Sequence, residues 1–342
     1  MTTRETLPLL TRRTLLAGAA SLPMITLISR RGSAAEFSYK FATGQDPSHP
    51  VNQRAGEALN RIREASGGRL DMRLFPANQL GSDTDLLSQV RSGGVEFFNL
   101  ATSILNTLVP AAGLVNVGFA FKNYDDVWKA VDGPLGQYIA GQIAKVGLVS
   151  VTPLWNNGFR QITSSTRDIL APADLKGFKI RVPPAPILTS LFQGLGASPT
   201  PINFNELYSA LQTKIVDGQE NPLAIIATTK LYEVQKSLSM TSHVWDGYQI
   251  LGNRRAWERL PADLKEIVQR ELAASGQQER QDVVRLSDSL RQDLAAKGLA
   301  IHDVDSGAFR DVLKGSSYYK DWLAKFGDEA WKVLEGTTGK LT

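Results

Sequence analysis

Between Phe37 and Leu100 the chain switches repeatedly between period-two and helical patterning, and this rhythm constrains the fold more than any other feature. Phe37, Tyr39 and Phe41 alternate as a half-buried strand, because successive side chains of an extended chain point to opposite faces. A helix is expected over about Asn52 to Ser66, ending at Gly67-Gly68. Leu70, Met72 and Leu74 then alternate as a strand stopped by Pro76, Asp83 to Ser92 fits a helix, and Val95 to Leu100 is an apolar run short enough for a buried strand. Strand, helix, strand, helix, strand is the pattern of a parallel sheet covered by helices.

A second region of the same kind follows. It has strands at Leu148 to Leu154 and Lys179 to Val182 and helices at Ile187 to Leu195 and Phe204 to Thr213. After Pro261, apolar residues at Leu264, Val268, Leu272, Val283, Leu286, Leu290 and Leu294 keep helical spacing over Ala262 to Lys297. The spacing fits one long helix or two helices meeting at Gly276, where glycine predicts a bend or break. At 342 residues and 42% hydrophobic content the chain has material for two ordinary lobes.

The chain has no cysteine and only His49, His243 and His302, which argues against zinc ribbons, iron–sulfur clusters, a thiol nucleophile and a histidine metal site. No metal or cofactor is expected. Residues 1–35 hold five arginines against the single Glu5, so removing them leaves the 38 bases and 34 acids of the whole chain balanced at 33 each. The basic character is therefore confined to that segment, and no nucleic-acid surface is expected. In the segment, Arg12-Arg13 directly precede the apolar stretch Leu15 to Ile28, and Ser33-Ala34-Ala35 offers a small-x-small cleavage site. This reads as a twin-arginine export signal with a mature start near Glu36, which predicts a periplasmic protein. The apolar stretch is broken by Gly18, Ser21 and Pro23 and is shorter than the ~20 residues of a spanning helix.

Motifs of the common hydrolases, kinases and dehydrogenases are missing from the sequence. The informative stretch runs from Trp155 to Tyr232 and contains Gly158-Phe159-Arg160-Gln161, Asp174-Leu175-Lys176-Gly177, Lys179-Ile180-Arg181-Val182-Pro183, Pro199-Thr200-Pro201 and Val216-Asp217-Gly218-Gln219-Glu220-Asn221-Pro222. Arg181 sits between Ile180 and Val182 in an apolar strand, where a guanidinium must find an anion or stay desolvated at high cost. Its planar fork suits a carboxylate held by two parallel hydrogen bonds. The Asn221 amide is placed to complete such a site as donor or acceptor. A purely structural alternative stands beside this one: Arg181 would pair with Glu206 or Glu220, and Asn221-Pro222 would only start a helix.

These blocks, in this order, resemble the periplasmic solute-binding subunits of TRAP transporters, the DctP family. The similarity extends from Gly68-Arg69-Leu70, Phe75-Pro76 and Gln79-Leu80-Gly81 to Tyr232-Glu233-Val234-Gln235-Lys236 and Trp257-Glu258-Arg259-Leu260-Pro261. The resemblance implies an α/β, two-lobed periplasmic binding protein of class II-like topology with a long lobe-crossing helix. Such a protein closes on an organic acid and delivers it to membrane permease subunits driven by an ion gradient. It implies no enzyme activity, no membrane-spanning segment and a monomer. It assigns Arg181 as the carboxylate clamp, Arg160 as a second positive contact, Asn221 as a hydrogen-bond partner of the same carboxylate and Phe204 as an aromatic wall. The implied lobes are 36–158 plus 247–286 and 159–246 plus 287–342.

Sugar-acid binders of the family tend to carry an acid after the strand that here ends at Leu100-Ala101-Thr102. Its replacement by an apolar pair and one hydroxyl, with Trp155, Trp245 and Tyr248 as further candidate walls beside Phe204 and Thr102, favours a small or aromatic monocarboxylate: a 2-oxo, 2-hydroxy or aryl acid. The alternatives are a sugar acid, a C4-dicarboxylate whose second carboxylate meets Arg160 or the loop 45–52, and a receptor that reports to a sensor kinase. An exported enzyme would have only Glu220 and Asp217 as acid/base groups in these blocks.

Overall fold

A computed structural model of the chain describes residues 35–341, so the twin-arginine segment lies outside the described residues. Two six-stranded sheets organise it. The first holds β1 (Phe37–Thr43), β2 (Leu70–Phe75), β3 (Phe97–Ala101), β4 (Leu148–Ser150), β5 (Trp155–Phe159) and β11 (Trp245–Asn253). Its order is β2-β1-β3-β11-β4, with β5 also paired to β11. As the periodicity predicts, β1 runs parallel to both β2 and β3. The late strand β11 enters antiparallel to β3, β4 and β5.

The second sheet holds β6 (Gln161–Ser164), β7 (Lys179–Val182), β8 (Ser198–Pro201), β9 (Gly218–Asn221), β10 (Ser237–Met240) and β12 (Ala300–Asp303), in the order β12-β10-β6-β9-β7-β8. One residue, Arg160, separates β5 in the first sheet from β6 in the second.

Helices α1 (Pro50–Ala65), α2 (Asp83–Ser92), α3 (Thr102–Leu105), α4 (Tyr124–Val131) and α5 (Pro134–Lys145) accompany the first run of strands, and α6 (Pro186–Gly194), α7 (Leu207–Gln212) and α8 (Leu223–Thr228) the second. His49 caps α1 by accepting the Val51 N–H on its ring nitrogen. Helix α2 shows a reciprocal box in which Ser82 and Asp85 satisfy each other's backbone donors, and it stops at the left-handed Gly93. The predicted strand Leu148 to Leu154 ends at Ser150; Pro153 has no N–H to give to a ladder. The helix expected from Phe204 opens as a tight 3-10 turn over Phe204–Glu206 before α7.

After α9 (Arg254–Arg259) comes α10 (Ala262–Ala296), a single continuous helix of 35 residues. Of the two readings of this stretch the single long helix holds, with no break at Gly276, where the glycine serves packing. A Cβ there would lie 2.5 Å from Nε1 of Trp155, so the bare backbone lets the β5 indole lie against the helix. Leu264, Val268 and Leu272 of α10 pack in the core with β1 and α1, whereas Leu290 and Leu294 pack in a second core with α7, α8 and β10. One helix thus belongs to both halves. A third and largest core gathers α4, α5 and α6 with α11 (Ser306–Gly315), α12 (Tyr318–Phe326) and α13 (Asp328–Thr338). Among the described residues no helix is long and apolar enough to cross a membrane.

Candidate ligand site

Arg181 lies on β7 beside Thr200 of β8 and Gln219 of β9. Its neighbours Ile180 and Val182 are buried in the largest core, so strand alternation turns Arg181 to the other face. It is 1% exposed. Its Nε donates to the Ile202 carbonyl at 2.9 Å, and its buried Nη2 has no hydrogen-bond partner. Burial pulls its pKa down to about 10, with Glu220 opposing that shift and Arg160 adding to it. The side chain is still a cation at neutral pH, and no carboxylate among the described residues pairs with it. Glu206 is exposed on the turn after β8, and Glu220 is engaged elsewhere.

That engagement is with Arg160. Its Nε donates to Glu220 Oε2 at 2.5 Å, its Nη2 to Glu220 Oε1 at 2.8 Å and to Asn221 Oδ1 at 3.0 Å, and its Nη1 to Asp246 Oδ2 at 3.2 Å. Burial pushes Glu220 up, but the charge and hydrogen bonds of Arg160 and the bond from His243 outweigh it and hold the carboxyl below its ordinary range. The His243 ring is kept neutral by burial. Its Nε2 lies 3.1 Å from Glu220 Oε2 and its Nδ1 2.8 Å from the Thr241 hydroxyl. An ionised carboxylate can only accept, so Nε2 carries the proton. Two carboxylates therefore offset Arg160, which reaches the site with far less free charge than the expected second cation.

Asp246, on β11, ties this network to the first sheet. It accepts from Thr102 Oγ1 at 2.8 Å, Ser103 Oγ at 2.7 Å, Asn116 Nδ2 at 2.9 Å and Asn157 Nδ2 at 3.4 Å. Asn157 is a surplus residue: Asp246 pairs with Gly158 and Gly247 with Asn156, which leaves Asn157 unmatched as a bulge.

Arg181, Arg160, Asn221 and Phe204 meet on one wall of a small chamber, with Pro183 and Ile225. Gln45, Asp83, Ala101, Ser103, Ile104 and Asn157 form the facing wall. About 20 Å³ of space accessible to water-sized molecules remains between them, room for about one water. Arg160 donates to Asn221 Oδ1 and Asn221 Nδ2 donates to Gln219, which leaves the second amide hydrogen of the asparagine to donate to a ligand.

Trp155, Tyr248 and Thr102 do not line this chamber. Trp155 and Tyr248 are cross-strand neighbours on β5 and β11, both buried in the core with α1 and α10. The Trp155 indole lies against Gly276, and the Tyr248 ring makes an edge contact with His49 at 6.2 Å. The Thr102 hydroxyl is consumed by Asp246 and Asn116. Sequence reasoning missed Asp83 and Asn157, and Gln45 entered it only as part of the loop 45–52. Asp83 opens α2 and reads as an ordinary first-turn acid, yet it is 6% exposed, accepts from Asn78 Nδ2 at 2.9 Å and is pushed up in pKa by burial. Gln45 Oε1 and Asn157 Oδ1 are buried acceptors without a partner.

Residues 41–324 match the model of the bacterial extracellular solute-binding proteins, family 7, known as DctP. The chain belongs to this family. A solute-binding protein of Roseobacter denitrificans is 32% identical to this DctP chain over 324 residues, 92% of this chain and 96% of that protein. A longer, uncharacterised protein of Sinorhizobium fredii is 34% identical over 262 residues, and the match spans 75% of this chain but only 48% of that protein. Among solved structures, a TRAP periplasmic solute-binding protein of Sulfurospirillum deleyianum with bound succinate superposes with a TM-score of 0.84 at 28% identity, covering 89% of this chain and 99% of that one. DctP proteins are solute-binding proteins, not enzymes, and Glu220 and Asp217 lose their standing as acid/base candidates with that assignment.

Proposed function

We propose that this DctP protein captures an organic acid bearing one carboxylate and at least one nearby hydroxyl, and delivers it to the membrane permease subunits of a TRAP transporter. Residues 1–35 would direct export to the periplasm, where the protein would act as a monomer. Residues 36–158 plus 247–286 and 159–246 plus 287–342 would be the two lobes that part to admit the acid and close on it. The observation that carries this reading is Arg181, a buried cation with an unpartnered Nη2 and, among the described residues, no carboxylate partner. An acid held there by two charge-assisted hydrogen bonds answers a guanidinium that the protein itself leaves unbalanced. The second amide hydrogen of Asn221 would join them.

Among the described residues Arg181 is the one cation lining the chamber without a carboxylate partner, which supports a single ligand carboxylate. A dicarboxylate such as the succinate of the Sulfurospirillum protein would set its second anion toward Asp83. Free acceptors on Gln45 and Asn157 suit hydroxyl donors of the ligand, which supports the 2-hydroxy acids among the expected monocarboxylates. A thermal-shift screen of the protein against hydroxy, 2-oxo, sugar and dicarboxylic acids tests the proposal. A stabilising acid should lose its effect in Arg181→Ala with the fold preserved, and undiminished binding in that variant would refute the clamp.

A further inference from the structure

A second cavity lies directly behind Phe204. It offers about 260 Å³ to water-sized molecules and is lined by Gly44, Asp46, Ala77 and Asn78 on one side and by Phe204, Asn205, Leu207, Tyr208, Thr229 and Leu231 on the other. Phe204 belongs to both cavities. The rest of the partition is thin: Asn78, on the second cavity, donates to Asp83, on the first, at 2.9 Å. Gly44 stands at the same wall, where a Cβ would fall 2.5 Å from Asp83 Oδ1 and 3.3 Å from Asn78 Oδ1.

We infer that the two cavities are one bipartite site, with Phe204 as the movable part of the partition, and that the second takes the uncharged tail of a 2-hydroxy monocarboxylate. The inference rests on the proposed clamping of a carboxylate by Arg181. With room for about one water, the first chamber takes the carboxylate and the adjoining hydroxyl only when its walls part, so a larger acid must extend past Phe204. The second cavity excludes a charged tail of the same sign, since it has no Lys, Arg or His on its wall and carries Asp46. Leu207 and Leu231 are buried members of the core with α8 and β10, and Phe204 packs against that core, which gives the tail an apolar floor. The Tyr208 hydroxyl is already spent on Glu233 at 2.8 Å. An alkyl or aryl group therefore fits this wall better than a polyol. Phe204 sits on a three-residue 3-10 turn and is only half-buried, so its ring can turn without breaking a sheet or a long helix.

The test is calorimetric titration with lactate, 2-hydroxyhexanoate and 3-phenyllactate. The two long-tailed acids should bind at least tenfold more tightly than lactate. Asn205→Trp, at an exposed position on the second cavity, should erase that gain while leaving lactate affinity within twofold and the unliganded melting temperature unchanged. Equal affinities along the series, absence of binding by all three acids, or an equal effect of Asn205→Trp on short and long acids would overturn the inference. Arg181→Ala separates the two levels. If another carboxylic acid binds in an Arg181-dependent way while tail length has no effect, the tail compartment fails and the clamp stands. Arg181-independent binding would overturn the clamp itself.

Discussion

Replacing Arg181 by methionine removes the cation while keeping an unbranched side chain of similar reach. Two charge-assisted hydrogen bonds at about 1.5–3 kcal/mol each are lost, so a carboxylate ligand should bind about 10² to 10⁴ times more weakly. The same substitution should also change the protein without ligand. With the walls closed around it, burial brings Arg181 from 12.5 to about 10, a penalty on the charged form of about 3 kcal/mol. The Nε bond to Ile202 joins neighbours of one sheet and is kept with the walls open or closed, so it does not enter this difference. A penalty of ~3 kcal/mol should favour the closed arrangement by on the order of a hundredfold in the variant. Small-angle scattering of the unliganded proteins reads this as a smaller radius of gyration for Arg181→Met than for the native chain, and differential scanning calorimetry reads the loss of ligand stabilisation. A fall of several degrees in the melting temperature of unliganded Arg181→Met would refute the reasoning, since breaking an internal ion pair costs about 3–5 kcal/mol.

Three further outcomes follow from buried groups outside the chamber. Burial lowers His49 from 6.5 to about 4, so its contribution to stability is complete above pH 6.5 and is lost as the pH falls from 6.5 toward 4, by about 3 kcal/mol in all. His49→Asn, which keeps a cap for α1, should flatten that part of the urea-unfolding profile, and an unchanged slope would count against it. Glu279 of α10 accepts the Asn156 N–H at 2.8 Å on Oε2, has no partner on Oε1, and is pushed well above 4.5 by burial. Its favourable share is present below pH 4.5 and drains away as the pH climbs through the raised value, so Glu279→Gln should raise the melting temperature at pH 8 and not at pH 4. Gly276→Ala should destabilise by about 1–3 kcal/mol through overpacking against Trp155, although alanine favours an exposed helix by about 1 kcal/mol; a gain in denaturant midpoint would show that the indole yields.

Local rules recover much of this fold from sequence. Helix α2 is announced by Ser82 and Asp85 at its start and Gly93 at its stop, and β7 by an apolar pair flanking one arginine. That arginine stood out because a cation between Ile180 and Val182 on a strand is buried and needs an anion, from a ligand or from an internal carboxylate. What pairing and packing decide was not legible. Trp155 and Tyr248 read equally well as wall or core, and tertiary packing commits them to the core, Trp155 against α10 at Gly276 and Tyr248 against His49. Glu220 was an open partner for Arg181 until Arg160, one residue beyond β5, was seen to take it. Asp83 and Asn157 leave almost no local trace: the first looks like a routine helix-start acid, and the second matters because a ladder skips it.

The skipped residue sets a limit on how such a receptor can be retuned. Asn157 is the surplus residue of the bulge, so deleting it would join Asn156 and Gly158 in a regular ladder with the partners they already have, Gly247 and Asp246. The amide that lines the chamber and donates to Asp246 would vanish with it, and the local bend that the bulge gives β5 would be lost. Diversification of specificity along this segment should therefore proceed by exchange of side chains at constant length, with insertions and deletions confined to connections away from both cavities, such as the Gly67-Gly68 turn between α1 and β2.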